Sequence, residues 1–471
     1  MYGASTVLTR AAALLIVPIY TRLLGPAEYG AIDILSIFGN LVTLTIALEI
    51  SQAVARFIPD EADGRPRAIV VTTAVGFTIV VYTAFLALAL AFVEPLRALL
   101  VNDLASTLAV ALAVSSAWAI GIFQLLQTVL RFAMRPLAYM IASVVFSLGG
   151  LALSVTLVVA FDAGVAGIFA GQVIGGIAGS LVATAAIRQL FVAAFDIRVL
   201  RRMLAFSIPL VPASIGVFVT LYIDRIALSA LVSLSAVGVF GIGYRLASAI
   251  SLLLIGFQMA LTPLIYQRYR EPSTPGDLAR IFRIFVGGAL MAAAALSVFA
   301  PEILRVLTTA PYYAAQSIVP ILAPAILLSN MYVFMPGLSI AKQTAVIALI
   351  TIGGGALNTL LSLSLIPLMG IEGAAVATLI TATVVFAAYS VTSQRAYPVP
   401  HRWTPIIVAA GGYVAVVMIG MWLEPMRLVS VAAKTALLAA YGVGIMFVGL
   451  VRPAEVAWVA DRIRRAVRRP A

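Results

Sequence analysis

Polar side chains recur at helical spacing inside long apolar segments of this chain. In the segment 30–56, spacings of i, i+4, i+7 and i+11 place four of them on one helical face: Thr45, Glu49, Gln52 and Arg56. A second stripe, at i, i+3 and i+7, consists of Gln124, Gln127 and Arg131. Such stripes are the expected lining of a water-filled path, so they predict binding of a polar group that crosses an apolar barrier.

The elements that must position these residues are membrane spans. The chain has 471 residues, of which 63% are hydrophobic and 10% charged, and its mean hydropathy is +1.12. A helix that crosses the hydrocarbon core needs about 20 apolar residues, and such runs fill nearly the whole length. The composition predicts an all-α polytopic membrane protein and excludes a soluble globular one.

Isolated charges within the predicted spans are the strongest candidates for a site. A charge at the bilayer centre costs at least about 2.5 to 3.5 kcal/mol on insertion scales, so such residues are expected to face a cavity. The candidates are Arg10 in span one, Glu49 in span two, Asp224 and Arg225 at the end of span seven, and Arg245 in span eight. We expect the side chain of Arg56, the last residue of span two, to face the same cavity.

Each of these candidates also has a structural interpretation. Glu49 and Arg56 are equally explained by an internal ion pair or by a side chain that extends from the helix end to water. For Arg22, Asp224 and Arg225, near the predicted outer ends of their spans, we expect a gating or hairpin-stabilising role. Arg10 either contacts the transported group or pairs with Glu49 or another acid to hold the first two helices together.

The distribution of basic residues predicts the topology. Fourteen candidate spans are separated by short loops, and the loops after even-numbered spans plus the C-terminal tail hold 22 Lys and Arg residues against five in the other loops. Because the excess marks the cytoplasmic side, both termini are expected in the cytoplasm. The net charge of +12 is therefore mainly a topology signal, and we expect no nucleic-acid partner.

Two charged segments interrupt or follow the spans. The segment 188–204, continuing to Phe206, is too charged to cross the membrane and predicts an amphipathic helix on the cytoplasmic surface. The tail 452–471 repeats apolar residues at helical spacing between arginines, which is typical of a basic helix on the anionic inner leaflet or of a solvated tail.

Three pairs of segments indicate an internal repeat of six spans. "YTRLLGPAEYGAIDIL" matches "YIDRIALSALVSLSAVGVFGIGYRL", with Arg22 against Arg225 and Gly30 against Gly238. "DAGVAGIFAG" from 162 matches "LMGIEGAAVA" from 368, and "ISQAVARFIPDEADGR" is echoed by "FQMALTPLIYQRYREP". Each copy contains an even number of spans, so the second copy enters the membrane from the same side as the first. This is the arrangement of a parallel repeat. The paired glycines alone would also be explained by close helix packing.

These segments, with "FSIPLVPASIG" and "ALNTLLSLSLIPLMGIEGAAVAT", resemble the polysaccharide biosynthesis transporters. Those are the lipid-linked oligosaccharide flippases of the superfamily that also contains lipid II flippases and multidrug and toxin extrusion (MATE) transporters. The resemblance implies two pseudo-symmetric six-helix lobes around a central cavity, plus two C-terminal helices. The implied division is an N-lobe at 1–187, a linker at 188–204, a C-lobe at 205–395, spans 13 and 14 at 396–451, and a basic tail at 452–471.

The resemblance implies a function in transport across the bacterial inner membrane by alternating access. The substrate would be a polyprenyl-pyrophosphate-linked oligosaccharide, the repeat unit of an O-antigen or exopolysaccharide. Arginine has a planar fork that suits phosphate oxygens, so Arg10, Arg56 and Arg245 would attract its pyrophosphate. No cofactor is expected beyond coupling to a proton or sodium gradient, with Glu49 as the first acid to test. The implied state is a monomer among membrane lipids, near glycosyltransferases and a polymerase.

Two other functions stay open at this point. A MATE-type multidrug or lipid II exporter would share the fold. Glu49 is compatible with an acidic cavity, which is expected in the multidrug branch. A membrane polysaccharide polymerase belongs to a different class and would want a long outer loop or an acidic catalytic pair. The one histidine, His401, lies in a short cytoplasmic loop, and the chain has no cysteine. We therefore expect neither catalytic residues nor a metal site.

Overall fold

In the computed structural model, residues 16–61 and 64–451 are described, and all their regular secondary structure is helical. A helix satisfies its backbone hydrogen bonds internally, which is the requirement that a lipid environment imposes. The predicted all-α fold is confirmed. By packing, the chain forms two compact units, residues 1–241 and residues 242–471.

The first unit starts with short helices and continues with long spans. Its helices are α1 (Val17–Leu23), α2 (Pro26–Thr45), α3 (Ile50–Phe57), α4 (Arg65–Ala91), α5 (Val93–Leu100), α6 (Thr107–Phe132), α7 (Pro136–Val144), α8 (Gly150–Phe161), α9 (Gly164–Ala186), α10 (Ile197–Ser207) and α11 (Val211–Leu231). One π-turn at Val145–Gly149 joins α7 to α8, and 3-10 turns lie at Asn102–Leu104, Arg188–Leu190 and Ile208–Leu210.

The unit boundary falls inside α12 (Leu234–Ser248). The second unit continues with α13 (Ser251–Arg268), α14 (Thr274–Val298), α15 (Ala300–Leu307), α16 (Val319–Asn330), α17 (Gly337–Ile340), α18 (Thr344–Met369), α19 (Ile371–Ala396), α20 (Trp403–Met421) and α21 (Leu428–Phe447). Its 3-10 turns are Ala310–Ser317 and Met331–Phe334. The boundary lies beyond the predicted linker because α11 packs on α2 within the first unit.

Eleven helical segments of the described residues are long and apolar enough to span a membrane, or twelve when the bent pair α2 and α3 is counted as one. Span one, predicted at 3–20, lies largely outside the described residues. Span eight, predicted at 236–264, is broken into α12 and α13. The multi-pass character is thus confirmed, whereas the count of fourteen and the symmetry of two lobes stay predictions.

The predicted linker helix is shorter than expected. Residues 191–196 are not helical, and α10 begins at Ile197, where the Asp196 carboxylate accepts the backbone N–H groups of Arg198 and Val199. Asp196 is therefore the N-cap that fixes the start. From there the helix continues through the Ile208–Leu210 turn into α11, so that linker and span form one segment of 35 residues, Ile197–Leu231.

The matched glycines of the second repeat pair behave alike. Gly164 and Gly370, each just before or at the start of a span, have φ of +49° and +60°, which glycine adopts without steric cost. Gly167 and Gly373, three residues on, pack against the helix before them, and a Cβ there would lie 3.2 Å from Leu157 Cβ and 2.3 Å from Leu365 O respectively. Both hairpins thus need glycine for the same two reasons.

Candidate functional site

Span two breaks at the polar stripe. Helix α2 ends at Thr45, α3 begins at Ile50, and their axes differ by 48°. Leu48 and Glu49 both have left-handed backbones, with φ of 51° and 54°. This conformation is sterically strained for any residue other than glycine. Residues with such strain cluster at functional sites. The break brings the Glu49 backbone to the corner between two helices.

The prediction that Thr45, Glu49, Gln52 and Arg56 share one helical face is therefore wrong. A continuous helix is required for that periodicity, and the two left-handed residues reset it. Gln52 is exposed, and Arg56 is half-exposed and forms an ion pair with Asp60, one turn further along. Of the two interpretations of Arg56, the structure records an ion pair, although its partner is Asp60 and not Glu49.

The second stripe lies at the end of α6. Gln124 is exposed. Gln127 donates a hydrogen bond to the Ser143 hydroxyl on α7 at 2.7 Å, and Arg131 donates to the Tyr139 hydroxyl at 3.2 Å with its guanidinium near the same ring. Two of the three polar groups therefore join α6 to α7 within the first unit.

The remaining predicted residues are dispersed. Arg10 lies outside the described residues. Arg22 is exposed at the end of α1, and Asp224 is buried in α11. Arg245, in the last turn of α12, is partly buried and belongs to the second unit. Within the first unit, the described residues bring together Arg225 and an acid that the sequence analysis did not select.

That acid is Asp33 on α2. Its Oδ2 lies 3.4 Å from Nε of Arg225 on α11, and both side chains are nearly buried, with exposed fractions of 9% and 11%. The guanidinium carbon is 5.9 Å from the ring centroids of Tyr222 and Phe240. Breaking such a buried pair is costly because one charge is then left uncompensated. The pair therefore specifies how α2 and α11 meet.

The space for Asp33 is provided by a glycine. A Cβ on Gly241 would lie 2.5 Å from the Asp33 carboxylate oxygen Oδ2. Two turns further along α2, the Asn40 amide donates to the Tyr222 hydroxyl at 3.2 Å. The contact between α2 and α11 thus contains an ion pair and, two turns further along α2, a hydrogen bond.

A close backbone approach lies next to the ion pair. A Cβ on Gly30 would lie 1.8 Å from Leu234 O, and a Cβ on Gly238 would lie 2.0 Å from Pro26 O. The two glycines, which the repeat matches to one another, meet directly. Glycine is required at both because backbone atoms occupy the space of any side chain.

Asp33 could have been found from its position. It lies three residues after Gly30 inside an apolar span, where an acid is as costly as the arginines that were selected. Ser36 and Asn40 follow it at i+3 and i+7, so a polar stripe on the same helical face also marks this position. A list of all intramembrane charges would have included it.

A separate polar cavity lies within the first unit, among α2, α6, α8 and α9. It measures about 350 Å³. Its polar lining carries hydroxyl and amide groups and no charged side chain: Ser36, Asn40, Thr43, Ser116, Ser147, Ser154 and Gln172, with Tyr20. Such a site can hydrogen-bond water or a neutral polar group.

Across residues 16–61 and 64–451, no three His, Asp or Glu side chains are grouped closely enough to hold a metal ion.

Residues 1–268, more than half of the chain, match the sequence model of the family described as polysaccharide biosynthesis protein. None of the curated proteins compared with the chain matches it significantly.

The fold resembles solved structures of transporters. The lipid II flippase MurJ in an inward closed conformation matches with a TM-score of 0.75 at 13% identity, over 96% of this chain and 99% of that one. An inward-facing multidrug resistance MATE family transporter of the MOP superfamily matches at 0.66 and 14% identity, over 82% and 94%. The Vibrio cholerae MATE transporter VcmN in the bent form matches at 0.52 and 17% identity, over 84% and 96%. At these identities the likeness is one of fold.

Proposed function

Because the chain belongs to the polysaccharide biosynthesis protein family, we propose that it is a flippase for a polyprenyl-pyrophosphate-linked oligosaccharide. The cargo would be a repeat unit of an O-antigen or exopolysaccharide, moved across the bacterial inner membrane by alternating access. The family match is the observation that carries this proposal, and the likeness to the fold of a lipid II flippase supports it.

The pyrophosphate would be bound by arginines. Arg10 and Arg245 are in or beside predicted spans, and a guanidinium can donate two parallel hydrogen bonds to phosphate oxygens. We assign Arg10 the closest contact, because an arginine in mid-span is a costly choice for a purely structural role. The polyprenyl tail would remain in lipid while the headgroup crosses.

The contact between α2 and α11 would act as the outer gate. The charge distribution predicts that the start of α2 and the end of α11 lie toward the periplasm. In that orientation, the Asp33–Arg225 ion pair and the Gly30–Gly238 approach close the outer side while substrate loads from the cytoplasm. Release would require both contacts to separate.

Coupling to a proton or sodium gradient is part of the proposal, with Glu49 as the acid to test. Glu49 is partly buried at the break in span two, where a change in its charge would act on the angle between α2 and α3. We propose that the protein works as a monomer, beside the glycosyltransferases that make its substrate and the polymerase that consumes it.

The test is a comparison of membrane abundance and repeat-unit export for Arg10→Ala, Glu49→Gln and the double variant. If Arg10 binds the headgroup, Arg10→Ala abolishes export at normal abundance, and Arg10→Lys retains part of it because the charge remains without the fork. If Arg10 only pairs with Glu49, the single change lowers abundance and the double change restores abundance and export together. Restored export would overturn the headgroup assignment.

Two phenotypes of a deletion strain separate this function from its alternatives. A polymerase defect would leave single repeat units on the outer face, whereas a flippase defect leaves them inside. A multidrug exporter would change drug sensitivity while surface polysaccharide stays intact. The proposal requires loss of surface polysaccharide with its precursor retained on the cytoplasmic face.

A further inference from the structure

A groove of about 340 Å³ opens in the second unit between the end of α13 and the first turns of α14. Leu264 and Ile265 line one side, and Ile281 and Ile284 line the other. Leu264 is 42% exposed. The rim is charged, with Arg268, Glu271, Asp277 and Arg280. The groove thus combines apolar walls with a rim able to pair with either sign of charge.

The matching groove of the first unit is filled by the linker. Sequence repeats match 50–65, which covers α3, with 257–272, which covers the end of α13. Helix α10 packs on α3 and α4 and buries Leu200 and Met203. Its Arg202 forms an ion pair with Glu61 at 2.5 Å, and its Phe206 ring packs edge-on against Phe57. An amphipathic basic helix is therefore the established occupant of that groove.

The C-terminal tail carries the same pattern as α10. The order Ile463-Arg464-Arg465-Ala466-Val467 repeats the order of 200–204, which is one apolar residue, two arginines and two apolar residues. Pro453 and Glu455 are typical of the first turn of a helix. The tail, residues 452–471, lies outside the described residues, so its placement is the open question.

The chain leads into the tail directly beside the groove. Arg283 Nη1 donates to the carbonyls of Gly449 at 2.6 Å and Leu450 at 3.3 Å. Val451 is the last described residue, and its Cγ2 lies 2.5 Å from where a Cβ on Gly287 would be. Gly287 follows Arg280 by seven residues and shares its helix face, because seven residues make nearly two turns. The tail therefore starts on the face of α14 that the groove occupies.

The length of a helix formed by the tail also matches the length of α14 beside the groove. At a rise of 1.5 Å per residue, the ten residues from Gly287 back to Asp277 span about 15 Å of α14, and a helix from Pro453 to Ile463 spans about 15 Å as well. A tail helix that runs antiparallel to α14 would bring Ile463 level with Asp277. Arg465 would then hold the place that Arg202 holds in the first unit.

We propose that residues 453–469 dock in this groove as an amphipathic helix. Val459, Ile463 and Val467 pack on its apolar walls, and Arg465 pairs with Glu271 or Asp277. Because the tail is tethered at Val451, docking is intramolecular and is favoured by a high effective concentration. The occupant is thus a segment of this chain, and the competing location is the anionic bilayer surface.

The absence of cysteine from the sequence makes a labelling test direct. Leu264→Cys is labelled with a maleimide in nanodiscs of zwitterionic phosphatidylcholine, in the full chain and in a chain ending at Val451. We expect labelling about fivefold slower in the full chain, which corresponds to roughly four fifths of the molecules docked. Leu137→Cys, 56% exposed on α7 of the first unit, is the control and should label equally in both chains.

A second pair of variants tests the orientation. Ile281→Cys with Val459→Cys should crosslink, whereas Ile281→Cys with Asp461→Cys should not, because Asp461 lies on the opposite helix face. Equal labelling of Leu264→Cys in the two chains would overturn the proposal. Protection that appears only when phosphatidylglycerol is added would also overturn it, by placing the tail on the bilayer.

Discussion

Gly30 and Gly238 contact each other reciprocally. The space beside Gly30 holds the Leu234 carbonyl and the Gly238 nitrogen, and the space beside Gly238 holds the Pro26 carbonyl and the Gly30 nitrogen. In each case the carbonyl belongs to the residue four positions before the partner glycine. Residues that are equivalent in the repeat thus make equivalent contacts, as in a two-fold interface where the same surface serves both partners.

Gly30→Ala is expected to force α2 and α12 apart, because the new Cβ would lie 1.8 Å from the Leu234 carbonyl oxygen and backbone cannot rotate away. The cost is about 1 to 3 kcal/mol, typical of overpacking. Thermal unfolding of the purified protein measures it. Gly216→Ala in α11 is the matched control, since no atom lies within 4 Å of its Cβ position. That change should be neutral or stabilising, and similar losses for both variants would contradict the packing argument.

Asp33→Ala is expected to lower the amount of folded protein in the membrane, because it leaves the nearly buried Arg225 guanidinium uncompensated. Loss of one partner of a buried pair costs about 3 to 5 kcal/mol. The double variant Asp33→Asn with Arg225→Gln should restore abundance. Arg188→Gln, at an exposed position of the same unit, is the control and should change little. A double variant as scarce as the single one would show that the pair does not couple the two helices.

Glu302→Gln is expected to destabilise the second unit. Nζ of Lys434 is 2.6 Å from the Glu302 Oε1, and the Lys434 side chain is fully buried. Without the carboxylate, that ammonium would stay charged in an apolar surrounding or lose its proton, and both are costly. Adding Lys434→Met should recover most of the melting temperature, since a pair without ionised groups avoids burying any charge. Failure to recover would place the role of Glu302 elsewhere.

Stability is expected to fall in mild acid because of His401. Burial lowers the pKa of this histidine, which packs on Phe282 and Trp403, from 6.5 to about 4. A pKa below that of the unfolded chain means that the unfolded state binds the proton more readily, so stability is complete above about pH 6.5 and declines as the pH falls toward 4. Melting temperatures at several pH values should show this decline, and His401→Phe should make it shallower. An unchanged slope would contradict it.

The helical fold could be predicted because continuous apolar runs of about 20 residues have the length of a membrane-spanning helix, whose backbone hydrogen bonds are satisfied internally. The break in span two could not. The sequence around Leu48 and Glu49 contains neither glycine nor proline, and the flanking residues Ala47 and Ile50 are both buried by tertiary packing. Local signals therefore gave no warning that the polar stripe would be divided.

The candidate site could be predicted only in part. The repeat predicted that Gly30 and Gly238 are equivalent, yet equivalence alone does not say that two positions touch. Arg225 was selected as a costly charge, but its partner Asp33 is 192 positions away in sequence, and that distance is closed only by tertiary packing. Lys434, counted with the loop charges, lies wholly buried inside α21.

The segment that runs from α10 through the Ile208–Leu210 turn into α11 is held by an ion pair near each end. Arg202 near one end is held by Glu61, and Arg225 near the other is held by Asp33. Arg225 follows Arg202 by 23 positions, which extend about 35 Å at helical rise. Pro209 and Pro212 have no backbone N–H groups, so the ladder of helical hydrogen bonds is interrupted at the Ile208–Leu210 turn, where the segment can bend. A ligand or lipid that tilts α10 is therefore expected to bend the segment at this turn before it strains the Asp33–Arg225 ion pair.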